Sequence, residues 1–379
     1  MRLLLKILLL LILPGVFFSV QSCSQTKTSA VRGVWLTNVD SEVLNSKKNI
    51  EEAVNLLDEL GFNTIFVVTW NKAMTTYPSK IMKELTGVEI DTLFTGRDPL
   101  MELIEAAHKK NIKVIAWFEF GFSSSFQLNG GPIIGKKPQW SAKDVNGKLV
   151  TKNGFEWMNG FHPEVQDFLL SLIMEVVSNY KIDGIQGDDR LPAMPSESGY
   201  DDYTINLYKS EHDGKTPPEY YKDYDWIKWR SNLLTDFMKR IYDSVKAYNK
   251  NLIVSMAPSI YPWSEEEYLQ DWPTWVNIGV VDLVCPQVYR YDFEKYSSAL
   301  QAIVDDQVAK KDLNKLYPGI LLKVGDYQPS LDFLEKMINE NRRNGINGEV
   351  FFFYEGIKKY PDFFRKIYKD RAEFPDLIE

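Results

Sequence analysis

A chain of 379 residues, 44% hydrophobic and 13% aromatic, is long enough to enclose one large core, and it contains no polar low-complexity segment of the kind that stays disordered. Its formal net charge of -8 argues against nucleic-acid binding, which needs a basic face to displace counterions from phosphates. The chain opens on a targeting segment. Arg2 and Lys6 precede an apolar run that ends before Gln21, Ser22 and Cys23, so residues 1–22 read as a lipoprotein signal peptide. Cys23 then becomes the lipidated N-terminus, residues 23–30 a polar tether, and residues 31–379 a single domain. In VQSC, Gln21 departs from the small residue usual in a lipobox; a plain signal peptide or an anchor helix is the alternative. These features predict a monomer held in the cell envelope by its lipid, at the outer membrane of a gram-negative bacterium.

From Arg32 onward short β-rich runs alternate with longer amphipathic ones. Eight nearly continuous apolar runs read as strands buried on both faces: 32–38, 63–70, 112–120, 183–189, 252–258, 281–289, 317–324 and 349–356. Between them lie helical patterns. IEEAVNLLDELG is closed by Gly61, DPLMELIEAAHKKN is opened by Asp98 as N-cap with Asn111 at its end, and PDFFRKIYKDRAEF predicts a final helix. Eight strand–helix pairs predict an α/β fold, a (β/α)8 TIM barrel, with its active site at the C-terminal ends of the strands. A doubly wound open sheet is the alternative, but no Gly-rich phosphate fingerprint follows the first strand. Two connections are long, 121–162 after the third strand and 191–224 after the fourth, and both are expected to build a cleft.

The strand ends carry the candidate site: Asn38, Trp70, Asn71, Trp117, Glu119, Gln186, Asp188, Asp189, Arg190, Gln287, Tyr289, Lys323, Tyr354 and Glu355. Within DGIQGDDR, Asp183 begins the strand and is expected to bond backbone donors. Gln186 and Asp188 share the interior side by alternation, and Asp189 begins the loop. Adjacent acids repel unless Arg190 intervenes, which pushes their pKa values apart as acid–base work requires. Glu119 projects from the same side as Trp117, whose ring desolvates it; a salt-bridged Glu beside a core Trp is the plainer alternative. Glu355 has similar credentials, but a helix-start role suits it nearly as well.

Paired carboxylates are the working parts of glycoside hydrolysis, and flat aromatic rings, of which 10 Trp and 20 Tyr offer many, stack on sugars. No metal or other cofactor is expected, because His108, His162 and His212 lack paired ligand spacing, and His108 reads as surface or core filler. Nucleophilic Ser or Cys chemistry is weak: there is no G-x-S-x-G, and Cys285 lies within an apolar strand.

RGVWLT, GFNTIFVVTW, DPLMELIEAAHKKNIKVIAWFEF, HPEVQDFLLSLIMEVV, DGIQGDD, CPQVY and GEVFFFYE together resemble, in order and spacing, the bacterial glycosyl-hydrolase-like proteins related to glycoside hydrolase family 10, the DUF187 family. The resemblance implies a (β/α)8 barrel that hydrolyses glycosidic bonds, and its lipoprotein members cut peptidoglycan strands stripped of stem peptides. Asp188 and Asp189 match the family's strand-4 acids, while Gly187 and Arg190 replace a larger apolar and an aromatic residue. Gln287 and Tyr289 match probable sugar-contacting positions.

The expected function is therefore hydrolysis of a cell-wall glycan, with Asp188 as nucleophile or base, Glu119 or Asp189 as general acid, and Trp35, Trp70, Trp117 and Tyr289 lining sugar subsites. Arg190, Lys72 or Lys323 is expected to meet substrate carboxylates. A dietary or host polysaccharide as substrate, and a non-catalytic surface glycan-binding barrel, are the alternatives.

Overall fold

The computed structural model describes residues 28–378; the signal segment and Cys23 lie outside the described residues. Eight parallel strands form the core: β1 Val31–Leu36, β2 Thr64–Val68, β3 Lys113–Trp117, β4 Gly184–Gly187, β5 Ile253–Met256, β6 Leu283–Val284, β7 Gly319–Leu321 and β8 Gly348–Phe352. Six fall inside the runs read from the sequence, and β1 and β8 begin one residue before theirs. The sheet runs β6-β5-β4-β3-β2-β1-β8-β7. Its two outer strands meet through parallel bridges, Val284 with Leu316 and Gln287 with Gly319, where Tyr317 N donates to Val284 O at 2.9 Å. This closure makes a (β/α)8 barrel.

The helices follow in register: α1 Lys47–Glu59, α2 Pro99–His108, α3 Pro163–Asn179, α4 Tyr224–Tyr248, α5 Trp272–Asn277, α6 Phe293–Ala302, α7 Leu331–Arg343 and α8 Pro361–Ile367. Their starts are chemically marked. The Asp98 side chain accepts from Met101 N at 3.0 Å and caps α2, as its position predicts. The expected long final helix is cut short: α8 ends at Ile367, and Ala372–Glu373 instead pairs in parallel with Thr28–Ser29 beneath the barrel.

Register is held by side chains at the starts of the even strands. Asn63 Oδ1 accepts from Arg32 N of β1 at 3.0 Å, Asp183 Oδ2 from Val114 N of β3 at 2.8 Å, and Asp282 Oδ2 from Val254 N of β5 at 2.8 Å. Each clip satisfies a backbone donor at a strand's first turn into the barrel and opposes slippage against its neighbour. Asp183 also meets His108 at 2.9 Å and Lys113 at 3.2 Å, so His108 lies at the surface, as read, with Asp183 as its partner.

Inside the barrel one polar relay crosses the core. Trp35 Nε1 donates to Gln186 Oε1 at 2.7 Å, and Gln186 Nε2 donates to Ser255 Oγ at 2.9 Å. Around it stand Phe66, Trp117 and Phe352, the first 5.8 Å and the last 6.2 Å from Trp35 between ring centroids. Thus the barrel is filled, and chemistry is confined to its upper mouth. The loop after β3 builds a small antiparallel sheet, Ser123–Phe126, Thr151–Lys152 and Phe155–Trp157, that stands over this mouth.

Candidate active site

Asp188 follows β4 directly, and its backbone is locked by a tight turn. Asp188 N donates to Leu191 O and Leu191 N to Asp188 O, both at 3.1 Å, while Gln270 Nε2 donates to Asp188 O at 2.8 Å. The turn explains Gly187: a Cβ there would come within 2.3 Å of Leu191 O and 2.6 Å of Met256 Sδ, so a larger apolar residue has no room. Gly121 plays the matching part on β3's loop. Its φ is +53°, and a Cβ would fall 1.9 Å from Arg190 O, so only glycine lets the two loops touch.

Three carboxylates converge there. Asp188 is 3% exposed and accepts from Gln287 Nε2 at 2.7 Å. Glu119 accepts from Asn71 Nδ2 at 2.9 Å, and Asn71 in turn donates to Asn38 at 3.0 Å. Asp189 is the most open of the three, its side chain 28% exposed, as expected for the first loop residue.

Arg190 threads between them. Its Nε donates to Glu119 O at 3.0 Å, its Nη1 lies 3.1 Å from Asp189, and its Nη2 lies 3.5 Å from both Glu119 Oε1 and Asp188 Oδ2. Those two oxygens can therefore be no more than twice 3.5 Å apart. The face of the guanidinium is covered by Phe155 at 4.8 Å, and its side chain is 14% exposed. Arg190 is thus an internal counter-ion. Of the two roles read for Arg190, offsetting the acids or gripping a substrate carboxylate, its contacts here are those of the first: its donors are directed at Glu119, Asp188 and Asp189.

One cation among three acids leaves protons tightly held. Burial pushes the Glu119 carboxyl up to about 7, against the pull of Arg190. Asp188 is also raised well above the ordinary carboxylate range, first by burial and then by the charge of Asp189. Burial works against the charge on Arg190, but the three carboxylates outweigh it and hold the guanidinium fully protonated. Tyr289 stands in the same field, its phenol raised by burial and by Asp188. The arrangement can hold one proton on a buried carboxyl beside a buried carboxylate, which is the resting state of an acid–base pair.

The other predicted residues divide clearly. Asn38, Asn71, Gln287 and Tyr289 come together with the acids, although Asn71 and Gln287 spend their amide donors on Glu119 and Asp188; Trp117, 2% exposed, packs in the barrel interior with its ring 6.4 Å from Trp35. Trp35 and Trp70 do not reach the cleft: they are 1% and 0% exposed, and Trp70 Nε1 donates to Gly121 O at 3.0 Å within the wall. Gln186 does face the interior but is wholly buried in the relay described above. Lys323 Nζ sits 5.3 Å over Phe353. Tyr354 is buried, and Glu355 is held by Lys358 at 2.6 Å and Ser41 at 2.9 Å at the start of a short helix, the role its position allowed. Cys285 is buried, and burial pushes its thiol well up.

Sequence reading missed three residues. Phe352 is the partly open ring beside the acids, 5.5 Å from Tyr289 and 6.5 Å from Trp117. Phe155 stacks on Arg190, and Gln270 fastens Asp188. Alternation from Val350 within β8 could have found Phe352; nothing local marks the other two.

The site can be set beside known proteins. The chain is similar to the protein named glycosyl hydrolase DigH of Escherichia coli strain K12, 24% identical over 360 residues that cover 83% of this chain and 78% of that protein. It is similar to glycosyl hydrolase YngK of Bacillus subtilis, 24% identical over 300 residues, covering 68% of this chain and 54% of that one. Among solved structures, the PgaB (BpsB) glycoside hydrolase domain from Bordetella bronchiseptica shares the fold with a TM-score of 0.69 at 15% identity, over 91% of this chain and 100% of that domain. An alpha-L-fucosidase isoenzyme 2 from Paenibacillus thiaminolyticus does so with a TM-score of 0.63 at 18% identity, over 90% and 49%. Residues 30–328 match the family model described as Glycosyl hydrolase-like 10, and the chain belongs to that family.

Proposed function

We propose that the protein hydrolyses glycosidic bonds with Asp188 as nucleophile and Glu119 as general acid, on peptidoglycan glycan strands stripped of their stem peptides. The observation that carries this reading is the pair of carboxyls, Asp188 and Glu119, bridged by one nitrogen of Arg190, with the proton of Glu119 held up to about 7. Their oxygens lie close enough for the spacing of roughly 5–5.5 Å that retaining glycosidases use, and only the short edge of the inverting range is accessible. Glu119 suits the acid better than Asp189, because its side chain is less exposed, 16% against 28%, and is oriented by Asn71.

In the first step Glu119 gives its proton to the leaving oxygen as the C1–O bond breaks, and Asp188 forms an ester to C1. In the second, the Glu119 carboxylate takes a proton from water, whose oxygen displaces Asp188 and restores the starting configuration. Arg190 positions both groups and stabilises whichever is ionised. Tyr289 and Phe352 offer ring faces for the sugar. The lipid anchor at Cys23, and with it placement in the outer membrane, belongs to the same reading.

A neutral polysaccharide as substrate has one observation in its favour: the donors of Arg190 are directed at the acids, which leaves Lys72, whose charge reaches Glu119, to meet a muramyl carboxylate. The deciding experiment follows new reducing ends from purified sacculi, with and without amidase treatment, beside a polysaccharide panel. Activity that requires amidase treatment supports the peptidoglycan reading; activity on a neutral polysaccharide alone overturns it. No release from any glycan, with binding retained, overturns hydrolysis itself.

A further inference from the structure

Two tyrosines on neighbouring loops of the same barrel face take no part in the acid cluster. Tyr291 follows β6 and is 66% exposed. Tyr327 closes the turn after β7, where Tyr327 N donates to Val324 O at 2.9 Å. Their rings meet edge to face, with centroids 4.7 Å apart and planes at 77°. Single exposed aromatics are common, but this one is propped rigidly by a second ring and overlooks a hollow.

The hollow measures about 370 Å³ and lies between the N-termini of α6 and α7. That volume is at the small end for ligand sites and suits one or two sugar rings, not a large cofactor. Tyr327 Oη is buried there without a hydrogen-bond partner. Gln328 Oε1 receives only a long bond of 3.4 Å from Tyr360, which leaves its amide nitrogen as a second donor. On the rim Asp292 pairs with Lys295 at 2.9 Å and Asp332 with Lys336 at 2.8 Å, while Glu294 adds a carboxylate with no ion-pair partner among the described residues. A ring face, two polar groups and a rim with one carboxylate in excess fit an uncharged, hydroxyl-rich ring and disfavour an anionic one.

The place of the hollow gives it a role. Tyr289, which feels the charges of Asp188 and Glu119, stands two residues before Tyr291, so the two backbone positions are at most about 7 Å apart. We propose that Tyr291, Tyr327 and Gln328 form a sugar-binding subsite outside the catalytic centre, taking one neutral pyranose of a glycan that extends from the acids across β6 and β7. This rests on the reading of the protein as acting on glycans, but not on its being a hydrolase. It makes the protein a binder of extended chains.

The test uses the full chain carrying Asp188→Asn, so that probes are not consumed, in affinity gels. The probes are amidase-treated glycan strands and, separately, a hexamer of N-acetylglucosamine, which lacks the lactyl carboxylate. Tyr291→Ala is expected to weaken retention roughly 3- to 10-fold on at least one probe, and Tyr291→Phe to keep it within about twofold. In the otherwise unaltered protein, Tyr291→Ala should raise KM for long strands by a similar factor while kcat holds. Retention that is unchanged by Tyr291→Ala on both probes overturns the subsite, as does a Phe variant that fails as badly as Ala. If the unaltered protein proves unable to cut glycans, the hydrolytic reading falls, and the retention measurement still decides the subsite.

Discussion

The two ends of β4 carry acids in opposite circumstances. At its start Asp183 has a backbone N–H, a lysine and a histidine to itself, all within 3.2 Å. The same generosity holds elsewhere on that face: Asp282 has Val254 N and Lys246, and Glu349 has both Arg342 nitrogens at 2.9 Å, Asn341 and Tyr368. At the far end, five residues later, Asp188 shares one guanidinium with Asp189 and Glu119. A fully matched carboxylate is a fastener; where buried carboxylates outnumber their cation, a proton is retained among them for one to give and another is left to attack. The barrel thus places its stability at one end and its chemistry at the other.

Substitutions at the two ends should separate these roles. The largest effect is expected from Asp188→Asn, which should lower kcat on the preferred glycan by about 10³-fold or more while leaving the thermal midpoint unchanged or higher, since it removes an undermatched buried charge. A variant that loses stability in step with activity would show Asp188 to be a fastener like Asp183. Glu119→Gln should cost about 10²- to 10⁴-fold in the step that needs a proton donor. It should also abolish the alkaline limb near pH 7 that its raised carboxyl predicts.

Stability should register the same group. Glu119 binds its proton more tightly folded than unfolded, so its contribution is complete below the ordinary glutamate pKa near 4.5 and is lost as pH rises through about 7. Unfolding in denaturant from pH 4.5 to 8 should show that decline, on the order of 3 kcal/mol, and Glu119→Gln should flatten it. Arg190→Met should shift the acidic limb of activity upward, because Asp188 would lose its counter-ion, and should cost a few kcal/mol of stability; Arg190→Lys should recover part of each. Smallest of all is the expected effect of Asp183→Asn on catalysis. It should cost about 1–3 kcal/mol of stability and leave kcat within a few-fold, which a urea titration beside an activity assay would check.

Much of this was legible beforehand for a reason that lies in burial. Strands enclosed on both faces must be continuously apolar, so their number and order can be read directly, and with them the barrel and the end that bears function. Capping by Asp98 and the backbone clip of Asp183 are local chemistry, and both are visible in sequence. The aromatic residues were less readable. Trp35, Trp70 and Trp117 sit at strand positions that alternation treats alike, yet Trp35 ties into the core relay, Trp70 is sealed in the wall, and Trp117 packs between Trp35 and Phe352 in the barrel interior. Phe155 and Gln270 arrive from distant loops, and no local pattern announces their contacts with Arg190 and Asp188.

DGIQGDDR shows where the boundary lies. By itself the sequence determined that acids would crowd the end of a buried strand, that Asp188 would face inward and Asp189 outward, and that some cation would be needed there. Only the tertiary structure decided that Arg190 serves as that cation for Glu119 of the next strand as well. Alternation and charge act along the chain and can be read from it, whereas sharing one guanidinium among three carboxylates depends on distances between strands that are 71 residues apart.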